Sequence, residues 1–389
     1  MITPYFFPAF YYGGPVRVTY ELARRLVRLG HEVTVLTTDV LDQTSRYDKR
    51  TATAEGVKIH YFKNISNSLA CRSHAFLPIG FYSFLGDASA AYDVIHIHEY
   101  YTLLTVFAAK FAGKHGIPAF LSAHGSMQVN EARGNQGRKK IFNGLFKDMI
   151  LGTISAVIAL NDKERNDFLC MGMENKRIEI IPNGIDLAEF EALPDRMEFR
   201  AKYGIKGDER IILFVGRIHE IKGLDLLLRA FTKLIKRVAD VKLVFVGPDD
   251  GYLHKLRRMA EESGVLSKVL FTGLLSGKEK LSAYSAANLF ALPSRSEGFP
   301  VTVLEACASC LPVIVSEACN FREVEARGAG LEIKCDEYAL YDGMWKLLND
   351  PQLRARMGML GKNMVRDNYD WNAIVKRLEH VYQRAVNAC

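Results

Sequence analysis

Glu297 and Glu305, separated by seven residues, bracket the turn Gly298-Phe299-Pro300. The turn follows an apolar run at 288–292 and opens into a segment with helical character, with Pro300 in its first turn, where a missing N–H costs nothing. Free backbone N–H groups and the helix dipole make such an end a seat for a phosphate or a sugar hydroxyl, and carboxylates accept hydrogen bonds from hydroxyls. Two acids would then hold one polyhydroxylated ligand; the competing reading puts Glu297 in an ordinary loop and Glu305 on a solvated face. Arg217 and Lys222 frame a second turn, 216–223, after the apolar run 211–215. A guanidinium fork and an ammonium together can hold a diphosphate and stabilise charge growing on a leaving group; otherwise they are a solvated basic pair. Gly13-Gly14 either lets backbone approach a bound phosphate or acceptor closely or makes a plain tight turn. His124, in Leu121-Ser122-Ala123-His124-Gly125, either faces a ligand or is a hydrogen-bonded loop histidine. His96 and His98 share one strand face, structural or acceptor-lining, and lack a third ligand for a metal; Asp249-Asp250 reads as an acidic turn.

These groups need elements to hold them. Helical spacing runs over 16–29, 102–112 and 138–151, and strand patterns occupy 31–37, 57–62, 93–98, 119–122 and 179–181. After Pro182-Asn183-Gly184-Ile185-Asp186 the alternation resumes with strands at 211–215, 241–246, 269–272, 288–292, 312–316 and 330–333, and a last helix at 371–386. Alternating strands and helices imply parallel, doubly wound sheets, in which ligands sit beyond the carboxyl ends of the strands. Gly13-Gly14, His98-Glu99 and His124-Gly125 all fall at such ends in the first half, and the domain boundary is expected near Pro182.

At 389 residues two domains are expected. No run of about 18 apolar residues suggests a membrane span, and no basic stretch followed by an apolar core suggests a signal peptide, so a cytoplasmic chain is expected. The opening strand is short at Met1, either frayed or with the chain's start incomplete. Seven cysteines, an odd number scattered through the chain, fit reduced thiols, and Cys307-x2-Cys310 lacks the second pair a zinc site needs. The net charge of +7 suits an anionic partner: a nucleotide diphosphate, an anionic membrane or nucleic acid. The segment 134–151 places Phe142, Leu145, Phe146, Met149 and Ile150 on one helical face, with Arg138, Lys139, Lys140 and Lys147 around the rest. It is either a core-packed helix with a solvated basic side or a face leaning on an anionic membrane where a lipid-linked acceptor arrives.

Glu297-x7-Glu305 with Gly298-Phe299-Pro300 inside, followed by Leu311-Pro312-Val313, resembles the signature of glycosyltransferase family 4, the retaining GT-B glycosyltransferases of group 1. Gly13-Gly14, Gly216-Arg217 with Lys222-Gly223, and Pro182 to Asp186 match that family in the same order. The resemblance implies an α/β GT-B fold of two Rossmann-like doubly wound domains facing across a cleft: an acceptor-binding domain over 1–182, a nucleotide-sugar-binding domain over 183–370, and a terminal helix, 371–389, crossing back to the first. It implies hexosyl transfer from a nucleotide-diphosphate sugar to a glycan, lipid-linked or small-molecule acceptor. Anomeric configuration would be retained, with no metal, no further cofactor and no nucleic acid. In that scheme Arg217 and Lys222 stabilise the departing diphosphate, and Glu297 binds the transferred sugar and its developing positive charge. His124 and Gly14 position sugar and phosphate, Gly13 faces the diphosphate and acceptor, Glu305 holds the ribose, and Gly298, Phe299 and Pro300 complete the donor seat. The base would lie against backbone after Val269. A peripheral site at the inner face of the membrane, through Arg138, Lys139 and Lys140, would accompany a lipid-linked acceptor. Two residues depart from the pattern: Cys310 replaces a helix-ending glycine, and Arg322 a frequent proline. Remaining alternatives are a catalytically silent GT-B binding subunit, a nucleotide-sugar epimerase or a phosphorylase; neither extra acid/base carboxylates nor a pyridoxal-phosphate lysine signal is present.

Overall fold

The computed structural model describes residues 1–87, 92–127 and 136–387; Gly134 and Cys389 lie outside them. The chain divides into two compact units, Met1–Asn183 with Trp371–Cys389, and Gly184–Asp370.

The second unit is built on six parallel strands in the order Val269–Gly273, Val241–Val246, Arg210–Val215, Leu289–Leu292, Val313–Ser316, Gly330–Ile333. Runs such as Ile211 to Phe214 and Leu289 to Ala291 are fully buried, as expected of strands covered on both faces. Chain order reverses between Arg210–Val215 and Leu289–Leu292, which puts the crevice of this Rossmann-like sheet at Gly216 and Pro293. Two glycines let the chain crowd there. A Cβ on Gly247 would lie 1.8 Å from the Gly216 carbonyl oxygen, and one on Gly223 2.1 Å from that of Pro293.

The helix Val301–Ala308 ends in a Schellman-type turn, in which Leu311 N–H donates to the Ala306 carbonyl at 3.0 Å. The turn forces Cys310 to a φ of 58°, and a Cβ on the abutting Gly358 would come 2.0 Å from the Cys310 carbonyl oxygen, so the backbone there has little room to relax. A side chain in the left-handed region costs about 1 kcal/mol. Cys310→Gly should therefore stabilise the protein by roughly that amount, read as a higher urea midpoint with an unchanged slope.

In the first unit the strand remnant at the N-terminus reduces to one residue. Ile2 bridges Leu36 and Ile97 in parallel, donating to the His96 carbonyl and accepting from His98 N–H, both at 2.8 Å. It thereby joins Val57–Phe62 and Thr34–Thr38 to the parallel series Ile95–His98, Ala119–Ser122, Ala156–Ala159, Ile178–Ile180. The edge strand Thr51–Ala54 pairs antiparallel, and neither it nor Ala156–Ala159 stood out in the sequence. The terminal helix Trp371–Val386 packs Trp371, Ile374, Val375, Leu378 and Val381 in one cluster with Val18, Leu22 and Leu26 of the helix Gly14–Arg28.

The helix Gln136–Thr153 corrects two expectations. Leu145, assigned to the apolar packing face, is 68% exposed and stands with Ile141, at 66%, beside exposed Arg138 and Lys140. Lys139, placed either on a solvated basic side or at a membrane contact, turns inward: its ammonium donates to the Ser126 carbonyl at 2.7 Å and lies 4.8 Å from the Tyr101 ring centre. Phe142 and Phe146 of the same helix are partly buried, Phe142 packing on Tyr100 and Tyr101, and Lys139, one turn before Phe142, lies along that aromatic side. Among the described residues no helix is long and apolar enough to cross a membrane.

Candidate functional site

The best-formed cluster of charged groups in the second unit lies at its sheet's reversal point. Gly223 takes a left-handed φ of 66° as it caps the helix Leu224–Leu234, which leaves Lys222 in the last turn of the preceding loop. The Lys222 ammonium donates to Glu297 Oε1 at 2.5 Å, and Ser294 Oγ donates to the same oxygen at 2.6 Å. The lysine and glutamate side chains are 15% and 11% exposed, so Glu297 sits in a loop, as the competing reading had it, but is largely shielded from solvent there and paired. The turn is pinned from behind: Glu297 N–H donates to Ala318 O at 3.1 Å and Asn320 Nδ2 donates to Glu297 O at 3.1 Å.

Arg295 ties this loop to the one carrying Lys222. Its backbone N–H reaches Ile221 O at 2.7 Å, and its guanidinium grips Asp225 with two bonds of 2.8 Å and Glu220 O with a third of 2.7 Å. Burial alone would lift the Asp225 carboxyl, but the Arg295 fork, helped by Arg229, holds it below the usual carboxylate range. The clamp makes the spacing of Lys222 and Glu297 a property of two loops moving as one.

Arg217 is placed differently from Lys222. It is half exposed and pairs with Asp250 Oδ2 at 2.6 Å, in a loop zipped to its neighbour by Ile218 N–H on Pro248 O and Asp250 N–H on Ile218 O. Asp249 caps the helix Leu253–Glu262, accepting from the N–H groups of Gly251, Tyr252 and Leu253 through Oδ1. The two aspartates thus have separate local tasks.

Glu305 is buried in the second turn of Val301–Ala308, with Lys280 Nζ donating to Oε1 at 2.6 Å and Tyr284 OH to Oε2 at 2.7 Å. It does not lie on a solvated face. Phe299 packs its ring on Phe321 and Tyr369, with centres 5.6 and 6.0 Å apart, while Pro300 caps the helix and Gly298 precedes it in the turn. Asp225, Lys280 and Tyr284 escaped sequence reasoning because their partners lie far off in the chain, and Ser294 and Arg295, though close to Glu297, were given no role.

In the first unit three strand ends carry the candidate groups. Gly13 has φ 76° and caps the helix opened by Gly14, with nothing near either Cα on the side-chain side. Tyr12, just before, stacks flat on Tyr5 at 4.4 Å, and Tyr5 OH donates to Glu99 Oε1 at 2.5 Å. His124 is left-handed, φ 51°, and its Nε2 shares a 2.8 Å hydrogen bond with His98 Nδ1; Glu164 steadies the turn by accepting from Gly125 N–H at 2.8 Å. His96 is bonded to Ser122 Oγ and to Tyr382 OH of the terminal helix, at 2.9 and 2.5 Å. Burial keeps all three imidazoles neutral: His124 is pushed down to about 4, and His96 and His98 fall well below the ordinary value. His124, Ser122 and His96, with Asn183, line a cavity of about 10 Å³ in this unit. Among the described residues no group of three or more His, Cys, Asp or Glu side chains could hold a metal.

Glu99 is the other left-handed residue at these strand ends, φ 74°, a conformation that persists only where the surroundings impose it. Burial raises its carboxyl from 4.5 to about 7, against the hydroxyls of Tyr5 and Ser126 and with Glu164 adding repulsion. A carboxyl that binds its proton more tightly when folded contributes stability fully below about pH 4.5 and loses it as pH rises through about 7. Glu99→Gln, which keeps the neutral shape, should accordingly raise the melting temperature at pH 8, by an amount worth about 1–3 kcal/mol, and give no gain at pH 4. Equal gains at both pH values would show that the carboxyl is not the titrating group.

Two family models match the chain: glycosyltransferase family 4 over residues 12–189 and glycosyl transferases group 1 over residues 195–364. The chain is 28% identical to an uncharacterised glycosyltransferase of Methanocaldococcus jannaschii, covering 94% of this chain and 93% of that protein. It is 26% identical to the D-inositol 3-phosphate glycosyltransferase of Kineococcus radiotolerans, over 96% and 91% of the two chains. Among solved structures, Anabaena HepE in complex with UDP and glucose superposes with a TM-score of 0.78 at 17% identity, covering 99% of this chain and 100% of that one.

Proposed function

The chain belongs to the group 1, family 4 glycosyltransferases, and on that premise we propose that it moves a sugar from a nucleotide-diphosphate sugar to a hydroxyl acceptor with retention of anomeric configuration and without a divalent metal. The observation that carries the reading is the Glu297 carboxylate held by Lys222 and Ser294 at the reversal point of the second unit's sheet. The second unit takes the donor. Lys222 and Arg217 meet the diphosphate, Arg217 being steadied but still half exposed on Asp250, and Glu297 faces the sugar carbon that loses its leaving group. Glu305 binds the ribose, and Gly298, Phe299 and Pro300 shape the helix end beneath the donor.

The first unit supplies the acceptor side, with Gly13 and Gly14 allowing close approach and His124 beside the sugar. Both nitrogens of His124 are buried or bonded within the unit, which fits a neutral group that orients rather than one that carries charge. In the transfer the bond from the anomeric carbon to the phosphate oxygen breaks and that to the acceptor oxygen forms. The acceptor's proton passes to the departing phosphate oxygen, so no separate base is required. A panel of nucleotide sugars tested for thermal stabilisation identifies the donor, since a ligand of the native state raises its melting point. Transfer or donor hydrolysis should then vanish in Arg217→Ala and Glu297→Ala and survive EDTA. Undiminished activity in both variants removes this site.

The relatives' names include D-inositol 3-phosphate glycosyltransferases, which suits a small polyol phosphate as one acceptor class. Exposed Ile141 and Leu145 beside Arg138 and Lys140 favour instead an acceptor delivered at an anionic membrane. Flotation with anionic liposomes should fall several-fold in the double variant Ile141→Ser, Leu145→Ser; equal flotation eliminates the membrane route.

A further inference from the structure

The two acids of the donor seat share a motif. Glu297 accepts from a lysine at 2.5 Å and a hydroxyl at 2.6 Å; Glu305 accepts from a lysine at 2.6 Å and a hydroxyl at 2.7 Å. The second set is the more deeply buried, Lys280 and Glu305 each being 9% exposed and Tyr284 fully buried. Lys280 and Tyr284 stand one turn apart on the helix Gly277–Ala286, so one face of that helix reaches both oxygens of Glu305.

A buried ion pair of this kind is a poor source of stability. Removing two charges from water costs several kcal/mol, and well-packed apolar residues of similar volume often serve as well or better. The arrangement does accomplish something else. A lysine on one oxygen and a phenol on the other hold the carboxylate in one rotamer, while the 11% of the Glu305 side chain left exposed gives a ligand access to it. An ionised carboxylate has about four lone-pair positions, of which these partners occupy two.

We propose that Lys280 and Tyr284 are positioning residues that act through Glu305 on the donor's ribose, and that they set how strongly the enzyme prefers a ribonucleotide over its 2′-deoxy counterpart. The inference rests on the assignment of Glu305 to the ribose. A fixed carboxylate reads a vicinal diol with both oxygens, and a 2′-deoxy sugar leaves one of those oxygens short of a donor. A carboxylate free to rotate accepts either sugar with less distinction.

The test measures dissociation constants of UDP, GDP and ADP and their 2′-deoxy forms by calorimetry, taking the pair with the tightest member. The wild type should favour the ribonucleotide by about 10- to 100-fold. In Lys280→Met that ratio should fall about tenfold, and in Tyr284→Phe, which removes one oxygen without changing shape, about threefold, with the deoxynucleotide constant nearly unmoved. A merely structural role would weaken both nucleotides alike, leaving the ratio intact, and that result overturns the proposal. Glu305→Gln separates the two layers. Should it erase the ratio while the lysine and tyrosine variants preserve it, Glu305 binds ribose and the positioning idea alone fails; should it too leave the ratio untouched, the ribose assignment fails and takes the proposal with it.

Discussion

Lys222→Met is expected to lower kcat by about a thousandfold while changing the donor's KM far less. A preorganised cation aimed at a departing diphosphate acts where charge grows in the transition state, and removing one such group costs about 10²–10³ in rate. Here the loss should lie at the upper end, because the ammonium is also the partner of a nearly buried carboxylate. With Lys222 gone, Glu297 loses the ammonium at 2.5 Å, and removing one partner of a nearly buried ion pair is destabilising. Activity and stability are therefore hit together. The double variant Lys222→Met, Glu297→Leu separates them: with both charges removed, stability should return to near the wild-type value while activity remains absent. Single-turnover rates and urea midpoints for the three proteins provide the check. A Lys222→Met enzyme within tenfold of wild type would take the leaving-group role away from this lysine.

Gly223→Ala should destabilise the second unit by about 2–4 kcal/mol and abolish activity with it. A Cβ at this position points 2.1 Å from the Pro293 carbonyl oxygen, a backbone atom at the carboxyl end of a buried strand, and φ is 66°. The left-handed conformation alone costs about 1 kcal/mol, and pushing two loops apart adds the 1–3 kcal/mol typical of overpacking. The displaced residue is the neighbour of Lys222, so the 2.5 Å contact with Glu297 and the grip of Arg295 on Ile221 and Glu220 are lost in the same movement. Gly14→Ala is the control. That Cβ meets nothing within 4 Å and needs no special backbone, so the melting temperature should hold. If Gly14 admits a ligand to the backbone, activity should nevertheless fall sharply in this folded variant. Thermal melts beside transfer rates distinguish a glycine needed for folding from one needed for approach.

Much of this protein could be read from order alone. Alternating apolar runs and helical spacings located all six strands of the second unit and the terminal helix, the inner strands most plainly because strands buried on both faces are written as nearly unbroken apolar letters. The pairs Glu297 and Glu305, and Gly216-Arg217 with Lys222-Gly223, were visible because each sits beside a turn whose glycine or proline the backbone requires. The Cys310 departure also read through to a strained helix end, since a Schellman turn demands a left-handed residue whatever the side chain.

Tertiary structure decided which charges meet. Nothing in the spacing of Lys280 and Tyr284 to Glu305, or of Arg295 to Asp225, announces a contact across helices and loops. It also divided the basic cluster at 138–140, turning Lys139 toward Tyr101 and leaving Ile141 and Leu145 outside, because packing of Phe142 on Tyr100 and Tyr101 sets which side of the helix faces inward. Local chemistry is carried by neighbours along the chain and is legible there; partner choice for a long polar side chain is settled only when packing sets burial and leaves each charge one place to go.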